Sequence, residues 1–126
     1  SMALSADGKI QHHAPFFEET LEVVELITQS NALKISSSRI APKISLEARI
    51  YNALVLGLRD YITKNGFRSI VMGLSGGIDS ALTLAISVDA IGAENVEALL
   101  LPSQYTSALS FRGAQEEATA LGVKLH

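Results

Sequence analysis

Apolar and polar positions along this chain change rhythm near Ser45. Before that point the pattern is irregular. Ala6-Asp7-Gly8-Lys9 is a turn signal, and Ile10-Gln11-His12-His13 reads as the returning strand of a hairpin. Across Pro15–Ile27, Phe17, Leu21 and Val24 share one helical face behind a proline suited to a first helical position. Residues 28–45 read as a linker, turn-rich at Thr28-Gln29-Ser30-Asn31 and Ser36-Ser37-Ser38, with Pro42 closing the stretch.

From Ser45 the spacing becomes regular. Ser45 caps a predicted helix whose Leu46, Ile50, Leu54, Leu58, Tyr61 and Ile62 share a face, and Asn65-Gly66 ends it. Residues 68–73 form an apolar run that predicts a strand buried on both faces. A helix follows over Ile78–Ile91, stopped by Gly92, and residues 96–101 give a second strand. Ser110 is the predicted cap of a third helix that Gly122 ends, and Val123–His126 reads as a third strand. This β-α-β-α-β order predicts an α/β fold with a doubly wound parallel sheet and right-handed crossovers. Ligands in such sheets bind at the carboxyl ends of the strands, which is where Gly73 and Pro102 fall.

The candidate chemistry sits in the turn after the first of these strands, Gly73-Leu74-Ser75-Gly76-Gly77-Ile78-Asp79-Ser80. Adjacent glycines let successive N–H groups curl toward one point, and the helix behind adds about half a positive charge. Ser75 and Ser80 supply hydroxyls, and Asp79 a carboxylate able to hold a divalent cation. Three readings compete. One is a plain strand–helix turn, although two Gly, two Ser and an Asp exceed what a turn needs. A second is the nucleophile elbow of serine hydrolases, since Gly73-Leu74-Ser75-Gly76-Gly77 matches G-x-S-x-G. That reading needs a downstream histidine, and only His126 follows Ser75. The third is a pyrophosphate-binding loop, and it is not a Walker A loop, because no G-K-[ST] occurs.

Ser75-Gly76-Gly77-Ile78-Asp79-Ser80 resembles the SGGxDS signature of the N-type ATP pyrophosphatases, enzymes that split ATP between its α- and β-phosphates. With its flanks, Tyr51–Tyr61, Lys64-Asn65-Gly66-Phe67 and Pro102–Ser107, the loop resembles the start of the synthetase domain of the glutamine-dependent NAD synthetase family. Residues 1–27 more weakly resemble the tail of that family's nitrilase-like glutaminase domain. The resemblance thus implies a domain tail over 1–27 with a strand at Leu21–Leu26, a linker over 28–45, and the front of the synthetase domain over 46–126. Its fold would be Rossmann-like, of the adenine nucleotide alpha hydrolase type, with an incomplete sheet and a short N-terminal β segment.

The implied reaction is ATP-dependent amidation of deamido-NAD to NAD. ATP adenylates the nicotinate carboxylate, pyrophosphate leaves, and ammonia drawn from glutamine displaces AMP. Gly73, Leu74, Ser75, Gly76, Gly77, Ile78, Asp79 and Ser80 match the family's ATP-binding segment, with Asp79 as a Mg²⁺ ligand. Leu100 or Leu101, at a strand end, would meet adenine through backbone groups. Tyr61 matches a position near the dinucleotide, and Tyr105 and Thr106 belong to a loop that closes over ATP. A GMP synthetase relative, another amidating ligase or tRNA-modifying enzyme with the same loop, or a non-catalytic nucleotide-binding module would carry the same loop.

Composition changes this picture in a few places. At 126 residues with 48% hydrophobic content, the chain has room for one folded domain of ordinary size. A net charge of −3 gives no reason to expect nucleic acid or an anionic membrane, and no apolar run is long enough to span one. Zero cysteines rule out disulfides, thiolate zinc sites and a cysteine nucleophile in these residues, so glutamine cannot be hydrolysed here by the family's route. After Asp79 the only basic side chains are Arg112 and Lys124, too few to neutralise a triphosphate. The expectation is a cytoplasmic fragment of a longer enzyme, prone to homo-oligomerise through open sheet edges and weak or inactive as a ligase alone. His12-His13 diverge on a strand and do not suggest a metal pair, while Glu18-Glu19, Glu116-Glu117, Arg59 and Asp60 read as solvated charges.

Overall fold

The structure, a computed structural model, describes residues 1–29, 32–36, 39–101 and 107–126. It divides into two compact units, Ser1–Arg49 and Ile50–His126.

In the first unit, β1 (Met2–Leu4) and β2 (Ile10–His13) pair antiparallel as the expected hairpin, with Met2 opposite His13. Gly8 turns the chain at φ +80°, and its N–H donates to Ser5 O at 2.9 Å. His12 and His13 face different partners. His12 Nε2 lies 2.7 Å from Glu22 Oε2, both side chains nearly buried, and the His13 ring centroid lies 4.6 Å from that of Phe16.

Two expectations fail in this unit. The helical pattern over Pro15–Ile27 is interrupted at Phe17, whose φ is +60°, and no helix forms. The strand placed at Leu21–Leu26 is also absent, because only Leu26 lies in a strand. Glu22 is drawn inward to His12 and Arg39, leaving Leu21 and Val23 97% and 89% exposed and without ladder pairing among the described residues. Pairing starts later. β3 (Leu26–Gln29) and β4 (Ala32–Ile35) pair antiparallel across the end of the stretch read as a domain tail and the start of that read as a linker, Leu26 opposite Ile35. With only two strands and almost no buried face, this ladder has little packing to support it.

The second unit follows the predicted order. Ser45 Oγ accepts from Ala48 N–H at 3.2 Å ahead of α1 (Leu46–Lys64), and Gly66 follows at φ +73°. β5 (Ile70–Gly73), α2 (Ile78–Ile91), a 3₁₀ turn (Ala93–Asn95), β6 (Val96–Leu99), α3 (Ala108–Leu121) and β7 (Lys124–Leu125) complete it. The three strands form a parallel sheet in the order β5-β6-β7, with Gly73 opposite Leu99 and Ala98 opposite Leu125. Two bonds carry the ladder past β7, His126 N–H to Ala98 O and Leu100 N–H to His126 O, both 2.9 Å.

Leu84 of α2 and Ala114 and Ala118 of α3 share one core with Leu74, Val96, Ala98 and Val123. Val96 and Ala98 lie two apart on a strand, so both helices pack on the same sheet face. The fold is α/β with a parallel sheet, and the sheet is incomplete. The expectation that the first strand is buried on both faces is corrected accordingly. Ile70 and Met72 pack on the core, but Val71 points to the other face and is 60% exposed. Among the described residues no helix is long and apolar enough to cross a membrane.

One more reading changes. α3 is capped by Ser107, whose Oγ accepts from Ser110 N–H at 3.0 Å, so the helix begins earlier than Ser110. Arg59 is exposed, as read from the sequence, but it is also hydrogen-bonded. Its Nε donates to Ala90 O and its Nη2 to Asp89 O, both at 2.8 Å, placing a cation at the carboxyl end of α2, which has no basic residue of its own.

Beside it Tyr51 Oη donates to Asp89 Oδ2 at 2.7 Å. That hydrogen bond, helped by burial and by the Asp89 charge, pushes the phenol up to about 12 from 10.0. The bond needs the protonated phenol. Its stabilisation is therefore fully present below pH 10 and lost as pH climbs towards 12. Denaturant midpoints taken from pH 9 upward should fall more steeply across this window for wild type than for Tyr51→Phe. Parallel curves would rule the linkage out.

Candidate functional site

The loop from β5 to α2 builds the site from local rules. Leu74 N–H extends the ladder to Leu99 O at 2.8 Å and its side chain is 2% exposed, so the loop starts from a fixed point. Gly76 then takes φ +77°, the left-handed region that glycine tolerates. Gly77 stands at the N-cap of α2 in extended geometry with no side-chain cap. A serine, aspartate or asparagine usually occupies that position and consumes an orphan amide. Here the N–H groups of Gly76, Ile78, Asp79 and Ser80 have no acceptor among the described residues.

The two serines hold the loop's shape. Ser80 Oγ accepts from Ser75 N–H at 3.2 Å and donates to Gly77 O at 2.9 Å. Ser75 Oγ lies 3.0 Å from Ser80 Oγ and accepts from Gly77 N–H at 3.3 Å. Asp79 is exposed in the first turn of α2 at the rim of an open groove of about 630 Å³. Ala53, Leu54, Gly57 and Leu58 of α1 form one wall, and Leu82, Thr83 and Ile86 of α2 the other. The groove is apolar apart from Asp79 and Thr83.

The remaining predicted residues are spread more widely. Gly73 ends β5 and Ile78 opens α2, 80% exposed. Leu101 follows β6 at the same end of the sheet, 79% exposed. Tyr61 is 60% exposed on α1, its ring centroid 6.1 Å from that of Phe67, and it makes no hydrogen bond to the loop among the described residues. Tyr105 and Thr106 lie outside the described residues. A serine-hydrolase reading finds no support, because His126 Nε2 sits 2.6 Å from Glu97 Oε2 and Ser75 bonds within its own loop.

Sequence reasoning missed the back wall of the loop. A Cβ placed on Gly76 would lie 2.0 Å from Ser110 O, 2.6 Å from its carbonyl carbon and 2.8 Å from its Cα. The first turn of α3 is therefore pressed against the loop. Gly113 of the same helix faces the loop without being needed for the approach, since a Cβ there would stand 3.9 Å from Gly76 O, an ordinary contact. The available signal was the pair Ser107 and Ser110, spaced as a cap and its third helical residue.

Uncapped amides, a helix N-terminus and a glycine cradle suit an anion of phosphate type. Comparison with known proteins agrees with that chemistry. The family model described as NAD synthase matches residues 50–126. The glutamine-dependent NAD(+) synthetase of Acinetobacter baylyi is 45% identical over 124 residues, which is 98% of this chain and 22% of that protein. Among solved structures, the glutamine-dependent NAD+ synthetase of Acinetobacter baumannii in complex with ADP superposes with TM-score 0.86 at 46% identity. That match covers 94% of this chain and 22% of the solved one. The NH3-dependent NAD synthetase of Campylobacter jejuni in complex with nitrate matches at TM-score 0.57 and 28% identity, over 62% of this chain and 34% of that one. The chain spans about a fifth of the glutamine-dependent relatives it matches. With the family model covering more than half its length, this chain belongs to the NAD synthase family.

Proposed function

We propose that this chain is the nucleotide-binding front of a ligase that amidates deamido-NAD to NAD at the expense of ATP, releasing AMP and pyrophosphate. The observation that carries the reading is the set of amides at Gly76, Ile78, Asp79 and Ser80 that have no acceptor among the described residues, around an uncapped helix start, in a chain of this family. The solved Acinetobacter baumannii relative, in complex with ADP, supports a nucleotide ligand.

In this reading the loop amides and the Ser75 and Ser80 hydroxyls hold the phosphates and keep hold of the pyrophosphate as it separates. Donors already aimed at developing charge need no reorganisation during the reaction. Mg²⁺, when bound, would screen that charge. Asp79 suits it as one ligand, since Mg²⁺ takes one or two carboxylates and completes its shell with phosphate oxygens and water. No group of three or more His, Cys, Asp or Glu gathers among the described residues, so Asp79 would act with ligands of that kind. Leu101 would border adenine, and Tyr61, Tyr105 and Thr106 the dinucleotide.

Residues 1–27 would be the tail of a glutaminase domain, 28–45 its link, and 46–126 the start of the synthetase domain. Ammonia would come from glutamine hydrolysed elsewhere, as no cysteine is present here. The enzyme would work in the cytoplasm as a homo-oligomer. Exchange of labelled pyrophosphate into ATP tests the proposal on the full-length protein. Exchange should require deamido-NAD and Mg²⁺. Exchange with xanthylate in its place would point to a GMP synthetase relative, and ATP binding with no exchange to a non-catalytic module.

A further inference from the structure

We propose that Ser107 is a positioning residue for the nucleotide loop, acting through the first turn of α3 on Gly76; this rests on the reading of the loop as a phosphate site. A glycine permits a left-handed backbone but does not enforce it. Gly76 nonetheless sits at φ +77°, and that φ spreads the amides after it around one point. Something outside the residue must hold it there. The tightest packing on Gly76 is the Ser110 backbone, whose carbonyl oxygen occupies the place of the missing Cβ.

Ser110 is in turn fixed by Ser107. Ser107 Oγ accepts from Ser110 N–H at 3.0 Å and lies 2.9 Å from Ser110 Oγ, and Ser107 O accepts from Phe111 N–H at 3.1 Å. Ser107 itself makes no hydrogen bond to residues 73–80 among the described residues. Its influence passes through the wall. Without the cap the first turn of α3 frays. Gly76 then samples its other backbone wells, and only the fraction still cradled binds tightly.

The experiment is equilibrium binding of ATP with Mg²⁺ to the full-length protein. Ser107→Ala should weaken binding about three- to ten-fold, the range set by losing one N-cap. Ser107→Thr and Ser107→Asn, which cap as serine does, should restore it, and Asn does so without a hydroxyl. Ser45→Ala removes the comparable cap of α1, remote in sequence from the loop, and should leave binding unchanged. Unchanged binding in Ser107→Ala, failure of Asn to restore it, or equal loss in Ser45→Ala would each overturn the proposal. Wild-type protein that does not bind ATP would instead refute the phosphate reading of the loop.

Discussion

Gly76→Ala should abolish ATP binding and destabilise the fold by about 2–5 kcal/mol. Two costs add. Alanine at φ +77° is strained by about 1–2 kcal/mol. Its Cβ would also enter the Ser110 backbone at 2.0 Å, and overpacking of that kind costs about 1–3 kcal/mol. That neighbour is backbone, so no side-chain rotation relieves the clash. Either α3 retreats or the loop flattens, and in both cases the amides disperse. Gly57→Ala is the matched control. It lies inside α1 with nothing within 4 Å of its added methyl, and should stabilise by about 0.5–1 kcal/mol. Thermal melts and ATP calorimetry read both effects. Wild-type affinity in Gly76→Ala would mean that the loop does not need its left-handed turn.

Asp79→Asn is expected to reduce turnover of the full-length enzyme at least about a hundred-fold while changing folding by at most about 1 kcal/mol. The side chain is exposed and makes no hydrogen bond among the described residues, so little structure depends on it. Its charge has two uses, the favourable position in the first turn of α2 and the proposed grip on Mg²⁺. Asparagine keeps the shape and removes the charge. Raising Mg²⁺ should not restore the rate, whereas Asp79→Glu should recover part of it. A variant with unimpaired rate at limiting Mg²⁺ would take Asp79 out of the metal's reach.

What could be read from the residues was what local rules decide. Gly77 and Gly92 bracket α2, and its predicted bounds, Ile78–Ile91, coincide with the observed helix. The turn at Gly8 and the stop at Gly122 are equally local. Where the outcome depends on distant partners, the pattern misleads. Leu21–Leu26 has strand-like composition, but Glu22 follows His12 and residues 21–25 find no ladder partner among the described residues. Val71 sits in an apolar run that suggests cover on both sides, yet one face of the sheet lacks it. Ser107 and Ser110 are equally good caps by type, and only the closing of Ser110 N–H onto Ser107 Oγ decides between them. The same holds for the site. The glycines announce a curled loop, while the wall that holds it arrives from a helix the chain reaches much later.

The two bonds from Arg59 to the last carbonyls of α2 have an electrical corollary. Helix poles act over roughly one turn, so the two ends answer separately to whatever approaches. A guanidinium already neutralises the negative pole, and no side chain caps the positive one at Gly77. Towards solvent α2 therefore draws anions at one end alone, an attraction tempered by Asp79 in the same first turn and offset once a cation binds that carboxylate.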